Sequence, residues 1–240
     1  MTKIVAIHQP NFFPWLGYFD KIVNSDTFII LDDVQFPKTN GNWSNRVKLF
    51  ISGEGRWVTA PIKRNYQGTL TINEMNFDDS LPWRKKFLKT LETNYRKADY
   101  YNENVAFINS LINNSMSNIA EYNTANILAI VNYLGIQTTK IKRASEFNVN
   151  SVATQRLIDL VKACDAQIYL CGGGASGYQD DSLYEMNEIT LKYQNYEHPI
   201  YEQKNNGEFI KGLSIIDALM NMGKDEVQSM LINNVRNIEE

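Results

Sequence analysis

The chain has 240 residues, 43% of them hydrophobic, with 24 basic against 27 acidic side chains for a net charge of −3. That length supports one substantial apolar core, and a slightly acidic chain without a dense Lys/Arg run offers little to a nucleic-acid backbone. Two cysteines, Cys164 and Cys171, with two histidines, His8 and His198, are too few for a disulfide framework or a zinc cluster, which fits a reducing cytoplasm.

In chain order, the opening "MTKIVAIHQP" has too few apolar residues for a signal-peptide core or a membrane span. Within it "KIVAI" reads as a short buried strand, and "TFIILDDVQF" as a second, longer one. Between them "PWLGYFDKIVNSD" has the length of a short helix with Pro14 near its start, so the opening predicts a βαβ unit with a right-handed crossover. "NWSNRVKLFISGEGRWVTAPIKR" then alternates polar and apolar residues around Ser52, Gly53 and Gly55, the pattern of a hairpin whose second strand ends at Pro61.

From Leu81 to Leu134 the apolar spacing is helical, closed by Gly135 at a C′ position. "TTKIKRASEF" returns to strand, "QRLIDLVKACDA" is an amphipathic helix, and "QIYLCGGG" is a buried strand running into glycines. A helix near Asp181–Met186 and a strand "ITLKYQNY" follow, then a last helix that opens at Ser214, with Asp217 as capping-box partner, and ends at Gly223. The expected fold is α/β: one domain over residues 1–240 with a mainly parallel Rossmann-like sheet, a β-hairpin and a helical layer or insertion at about 81–135.

Ligands of such sheets sit beyond the carboxyl ends of the strands, and three loops there carry unusual residues. In "HQPNFFPWLGY", His8 can act as acid or base or donate to a phosphate, or it can be structural. Gln9 and Asn11 face a ligand or bond their own turn, while Trp15 and Tyr18 line a site or pack a core, and Gly17 permits close approach. In "DDVQF", Asp32 and Asp33 point to opposite faces if the strand persists, so one carboxylate can enter a shared site, with Gln35 beside it; the alternative is an ordinary turn or cap. In "NWSNRVK", Asn45 precedes Arg46 and Lys48, which share one face and suit a phosphate or carboxylate as well as a solvated hairpin.

"YLCGGGASGYQDD" is the second polar turn. Gly172 and Gly173 free the backbone to cradle an anion, with Tyr178 at hand, but no Gly-Lys-Ser/Thr follows to make a P-loop. Cys171 is a nucleophile only if a base activates it, and is otherwise a small buried hydrophobe. His198, flanked by Tyr196 and Tyr201, could wall a sugar or base pocket or pack the last strand. No G-x-S-x-G supports serine-hydrolase chemistry, and "DDV" only approaches the D-x-D of metal-dependent glycosyltransferases.

The blocks "HQPNFFPWLGYFDKI", "DDVQF", "NWSNR", "WVTAPI", "YLCGGGASGY" and "SIIDALMNMG", in that order over nearly the whole chain, resemble the WbqC-like family of bacterial proteins. That resemblance implies a place in the synthesis of O-antigen and related surface polysaccharides, and a glycine-transferring role. Cys171 departs from the family, which more often has serine there, and this argues against an obligatory thiol. Strand, histidine turn, short helix and a second strand ending in "DDVQF" are also similar in layout to the nucleotidyl-transferase and pantothenate-synthetase group, although the second histidine of H-x-G-H is missing.

These likenesses imply an enzyme that adds a small acyl or aminoacyl group, such as glycine, to the amino group of a nucleotide-linked or lipid-linked sugar. ATP with magnesium would activate the acid. His8 and Asp33 would orient or deprotonate the nucleophile, Arg46 and Lys48 would neutralise phosphate, and the 171–178 turn would bind through backbone N–H groups. The alternative is a non-catalytic nucleotide-sugar-binding or assembly protein of the same pathway.

Overall fold

A computed structural model of the chain describes residues 2–37, 42–137, 139–173, 179–204 and 207–233. Among the described residues five strands form a parallel sheet: β1 (Ile4–His8), β2 (Thr27–Ile30), β5 (Lys140–Arg143), β6 (Ile168–Gly172) and β7 (Thr190–Gln194). β3 (Arg46–Ile51) and β4 (Glu54–Thr59) pair antiparallel as a separate hairpin, turned by Ser52 and Gly53, both at positive φ. The sheet order is β5-β2-β1-β6-β7, so the chain leaves β1 toward one edge, through β2 and β5, and returns on its other side through β6 and β7. The topological switch point therefore lies between β1 and β6.

The described residues hold seven α-helices: α1 (Leu16–Val23), α2 (Trp83–Tyr95), α3 (Tyr101–Ile112), α4 (Ile119–Tyr133), α5 (Ala153–Lys162), α6 (Ser182–Met186) and α7 (Ile215–Asn233). Alternation along the strands divides the core in two. Ala6, Phe28, Ile30 and Leu170 face the larger part, with α1 to α4, α7 and the hairpin. Val5, Ile7, Ile29, Tyr169 and Cys171 face the smaller part, closed by α5 and α6. Both faces of β1 and β2 are covered, which is why they read as continuous apolar runs rather than alternating ones.

The expected α/β fold is the observed one, with α2, α3 and α4 filling the interval between the hairpin and β5. Gly135 adopts φ +67°, and its N–H bonds the Asn132 carbonyl at the end of α4, as a C′ glycine does. At the last helix the outcome is mixed. Gly223 breaks the helical geometry with φ 81° and ψ 170°, but a further helical stretch continues beyond it. The Ser214 hydroxyl accepts from the Ile216 N–H, but Asp217 does not close a capping box, because the Ser214 N–H is taken by the Lys48 carbonyl.

Asp217 instead points inward, where its carboxylate accepts from Tyr201 Oη at 2.7 Å and Gln203 Nε2 at 3.0 Å. Burial pushes its pKa up to about 6 from an ordinary 3.8, against the pull of these hydrogen bonds. A carboxyl raised in the folded state contributes stability that is complete below its unfolded pKa and is lost as pH rises through the folded one. The stability of the wild type relative to Asp217→Asn should therefore fall by roughly 2–3 kcal/mol from about pH 4 to about pH 7. Paired urea titrations across that range check this; a constant difference would contradict it.

Candidate functional site

The last residues of three adjacent strands meet at the switch point. His8 ends β1, Gly172 ends β6, and Gln194 ends β7 directly opposite Gly172. Each shares its side-chain parity with the residues that face α1, so all three lie under that helix. Gln194 Nε2 donates to the Gly17 carbonyl at 2.8 Å and to Asp20 Oδ2 at 2.6 Å, tying β7 to α1. Burial raises the pKa of Asp20, while its hydrogen bonds from Gln194 and Asn24 and the nearby Lys21 charge oppose that rise.

Lys21 lies over the same edge. A Cβ on residue 172 would sit 3.1 Å from Lys21 Nζ, so glycine there makes room for the amine. Lys21 is buried, with 3% relative exposure, and no described residue forms a hydrogen bond or ion pair with its side chain. Burial lowers its pKa to about 8, while the nearby Cys171 and Asp20 pull the other way.

His8 is half-buried, its ring 4.9 Å from that of Tyr18 in an edge contact, with Nδ1 3.1 Å from the Gln9 carbonyl. Burial first, and then the Lys21 charge, push its pKa down to about 3. The imidazole is thus neutral at physiological pH, able to donate or accept a hydrogen bond without carrying charge. The proton NMR signal of its ring should not shift between about pH 8 and about pH 5. A titration midpoint near the usual value of 6.5 would contradict this environment.

The other residues of the opening turn take several roles. Tyr18 is buried and donates its hydroxyl to the Gln9 carbonyl at 3.1 Å, so both brace the turn. Trp15 folds its indole across Gly17, where any Cβ would collide with the ring. The same indole stacks on His198 at 6.3 Å and meets Tyr196 edge-on at 5.2 Å, which makes one aromatic wall from the two ends of the chain. His198 also contacts Tyr201 and Phe209, and burial lowers its pKa.

Asn11 is buried beside the "NWSN" segment. Phe12 N–H donates to the Trp43 carbonyl at 2.7 Å, and Asn123 on α4 donates through Nδ2 to the carbonyls of Pro10 and Ser44 at 2.9 and 2.7 Å. The opening turn and "NWSN" are thus joined by a main-chain hydrogen bond and by the Asn123 amide. Around this junction Asn11 Oδ1, Asn42 Nδ2, Ser44 Oγ and Asn123 Oδ1 are buried without a hydrogen-bond partner among the described residues. Asn45 is spent on the Ala60 carbonyl at 2.9 Å.

The remaining expected residues lie elsewhere. Asp32 is buried and accepts from the N–H and hydroxyl of Ser145 at 3.0 and 2.7 Å. Asp33, on the other side of the strand end, forms an ion pair with Arg156 of α5. Gln35 is exposed and bridges Thr71 through main chain. Arg46 places its guanidinium carbon 4.2 Å above the Trp57 ring, and Lys48 lies over Gly55, so both basic chains make their described contacts within the hairpin. Gly173 is exposed next to Gly172. The Cys171 thiol turns to the opposite face, where Gln179 Nε2 lies 3.8 Å away and burial pushes its pKa up to about 11. Tyr178 lies outside the described residues.

Carboxylates suited to magnesium are already engaged: Asp32 by Ser145, Asp33 by Arg156, Asp20 by Gln194. Among the described residues no group of three or more His, Cys, Asp or Glu is arranged for a metal ion. Among the same residues no helix is long and apolar enough to cross a membrane.

Reasoning from sequence did not single out Lys21, Gln194, Arg156 or Asn123. Lys21 left one signal, its i, i+4 spacing from Gly17 on a short helix after the first strand, which puts a glycine and a lysine on one stripe.

A family model described as "WbqC-like protein family" matches residues 9–229. An uncharacterized protein of Mycobacterium tuberculosis is 31% identical over 225 residues, covering 93% of this chain and 95% of its own length. No solved structure matches the chain.

Proposed function

The chain belongs to the WbqC-like protein family, and from that premise we propose that it is an enzyme adding a small acyl or aminoacyl group, glycine among the candidates, to an amino sugar during surface-polysaccharide synthesis. The observation that carries this reading is the convergence of neutral His8, buried Lys21 and Gly172 at the switch point, where open α/β sheets bind phosphorylated ligands. In the reaction a sugar amine attacks the carbonyl of an acyl group activated by phosphate. A C–N bond forms, the C–O bond to phosphate breaks, and the departing phosphate carries away the amine proton. His8 orients the amine through a hydrogen bond, and the Trp15, Tyr196 and His198 wall offers aromatic faces to a sugar or base.

The experiment is incubation with ATP, glycine and nucleotide-linked amino sugars, followed by mass spectrometry of the sugar. A mass increase of one glycyl or other acyl group is expected; binding of the sugar without any mass change would sink the enzymatic reading. The second reading, a non-catalytic nucleotide-sugar-binding or assembly protein, is favoured by one fact: Asp33, the carboxylate nearest to a base role, is held by Arg156.

A further inference from the structure

We propose that Lys21 is an anion anchor, receiving a phosphate of a nucleotide-linked ligand at the carboxyl edge between β1 and β6, over Gly172. The inference rests on the crevice used above but not on the chemistry assigned to it.

Lysine is almost never fully buried unless it is paired, because an ammonium out of water without a counter-ion costs several kcal/mol. Lys21 is buried to 3% relative exposure and has no hydrogen bond or ion pair among the described residues. The groups around it offset the charge only in part: the neighbouring Asp20 and Cys171 favour the ammonium, but burial outweighs them, and the Asp20 carboxylate takes its hydrogen bonds from Gln194 and Asn24 rather than from Lys21. An apolar residue would pack here at less cost. The amine is instead aimed at the one strand end that has no side chain, since a Cβ on Gly172 would stand 3.1 Å from Nζ. Backbone can thus approach a ligand from β6 while the amine approaches from α1.

A phosphate suits this place better than a carboxylate. It carries more charge to offset a buried ammonium, and lysine serves it as a point charge without needing the bidentate geometry of arginine. Free phosphate, a nucleoside diphosphate and a nucleotide sugar share this chemistry, and the arms of the experiment separate them.

The test is titration calorimetry at about pH 8.5, in two buffers of different ionisation enthalpy, with inorganic pyrophosphate, ADP, UDP and a UDP-sugar, and with glycine and acetate as carboxylate arms. Part of the Lys21 population is neutral at that pH and becomes protonated when a phosphate docks, so phosphate binding should take up a fraction of a proton, and the uptake should fade by about pH 7. A merely structural lysine would not produce it. Tighter binding of the nucleotides than of pyrophosphate identifies the nucleotide-linked source.

Lys21→Met should fold, because an apolar chain replaces an unpaired charge, and it should weaken phosphate binding at least about tenfold while abolishing the uptake. Gly172→Ala, which keeps the amine but fills its approach, should weaken binding as well. Equal affinity in Lys21→Met, no proton uptake in the wild type, binding of pyrophosphate alone, or preference for glycine or acetate would each overturn the proposal. The measurement reads binding alone. Lys21-dependent binding without acyl transfer would count against the enzymatic reading, whereas acyl transfer and binding that survive in Lys21→Met would count against the anchor.

Discussion

Asn123→Ala should destabilise the protein by about 3 kcal/mol, because it leaves two buried carbonyls without donors. The side chain is 1% exposed, and its Nδ2 is shared by Pro10 and Ser44, residues 113 and 79 positions away. Each lost bond exposes the full desolvation penalty of a buried acceptor, about 1–3 kcal/mol, and the missing amide adds a small cavity. Asn123→Asp makes the mechanism visible. It has the same shape but places acceptors against acceptors, so it should be at least as damaging as alanine. Urea denaturation of both variants checks this, and an aspartate variant as stable as the wild type would refute the role of the two N–H bonds. Because the clamp holds the opening turn against "NWSN", ligand affinity at the crevice should fall with stability.

Arg156→Met is the second large effect expected, at about 3 kcal/mol, or roughly 6–12 °C in melting temperature for a chain of this size. The pair with Asp33 is largely sheltered, with side-chain exposures of 15% and 21%. Arg156 also donates to the Val149 carbonyl at 2.6 Å, so its removal strands a carboxylate and frees the segment before α5. Asp33→Asn keeps a hydrogen-bond acceptor for the guanidinium and should lose about 1–2 kcal/mol. If Asp33 acts only through this pair, turnover in Asp33→Asn should drop less than about tenfold; a loss of a hundredfold or more at modest destabilisation would make Asp33 a base instead.

Much of the fold was legible along the chain. The β-branched run of β1, Gly53 of the hairpin turn and the C′ glycine after α4 each act locally, through period, sterics and positive φ, and each stands where expected. The expected continuation of the second strand through Asp32 and Asp33 does not occur, since β2 ends at Ile30, yet the two carboxylates do bond different partners. Their partners were not legible. Ser145 and Arg156 come from more than 110 residues further on, and nothing in the local pattern names them.

The candidate site divides along the same line. By itself the sequence determined that a polar, rigid turn with His8 follows the first strand and that glycines follow β6, because turn chemistry and strand ends are short-range properties. Tertiary structure alone decided that β1 and β6 are neighbours and that Gly172 and Gln194 come under α1 beside His8. It also left Lys21 buried over Gly172 while taking Arg46 and Lys48 into the hairpin. Register and strand order arise from burial summed over the whole sheet, so whether a lysine meets water or a strand end cannot be read from its own neighbours.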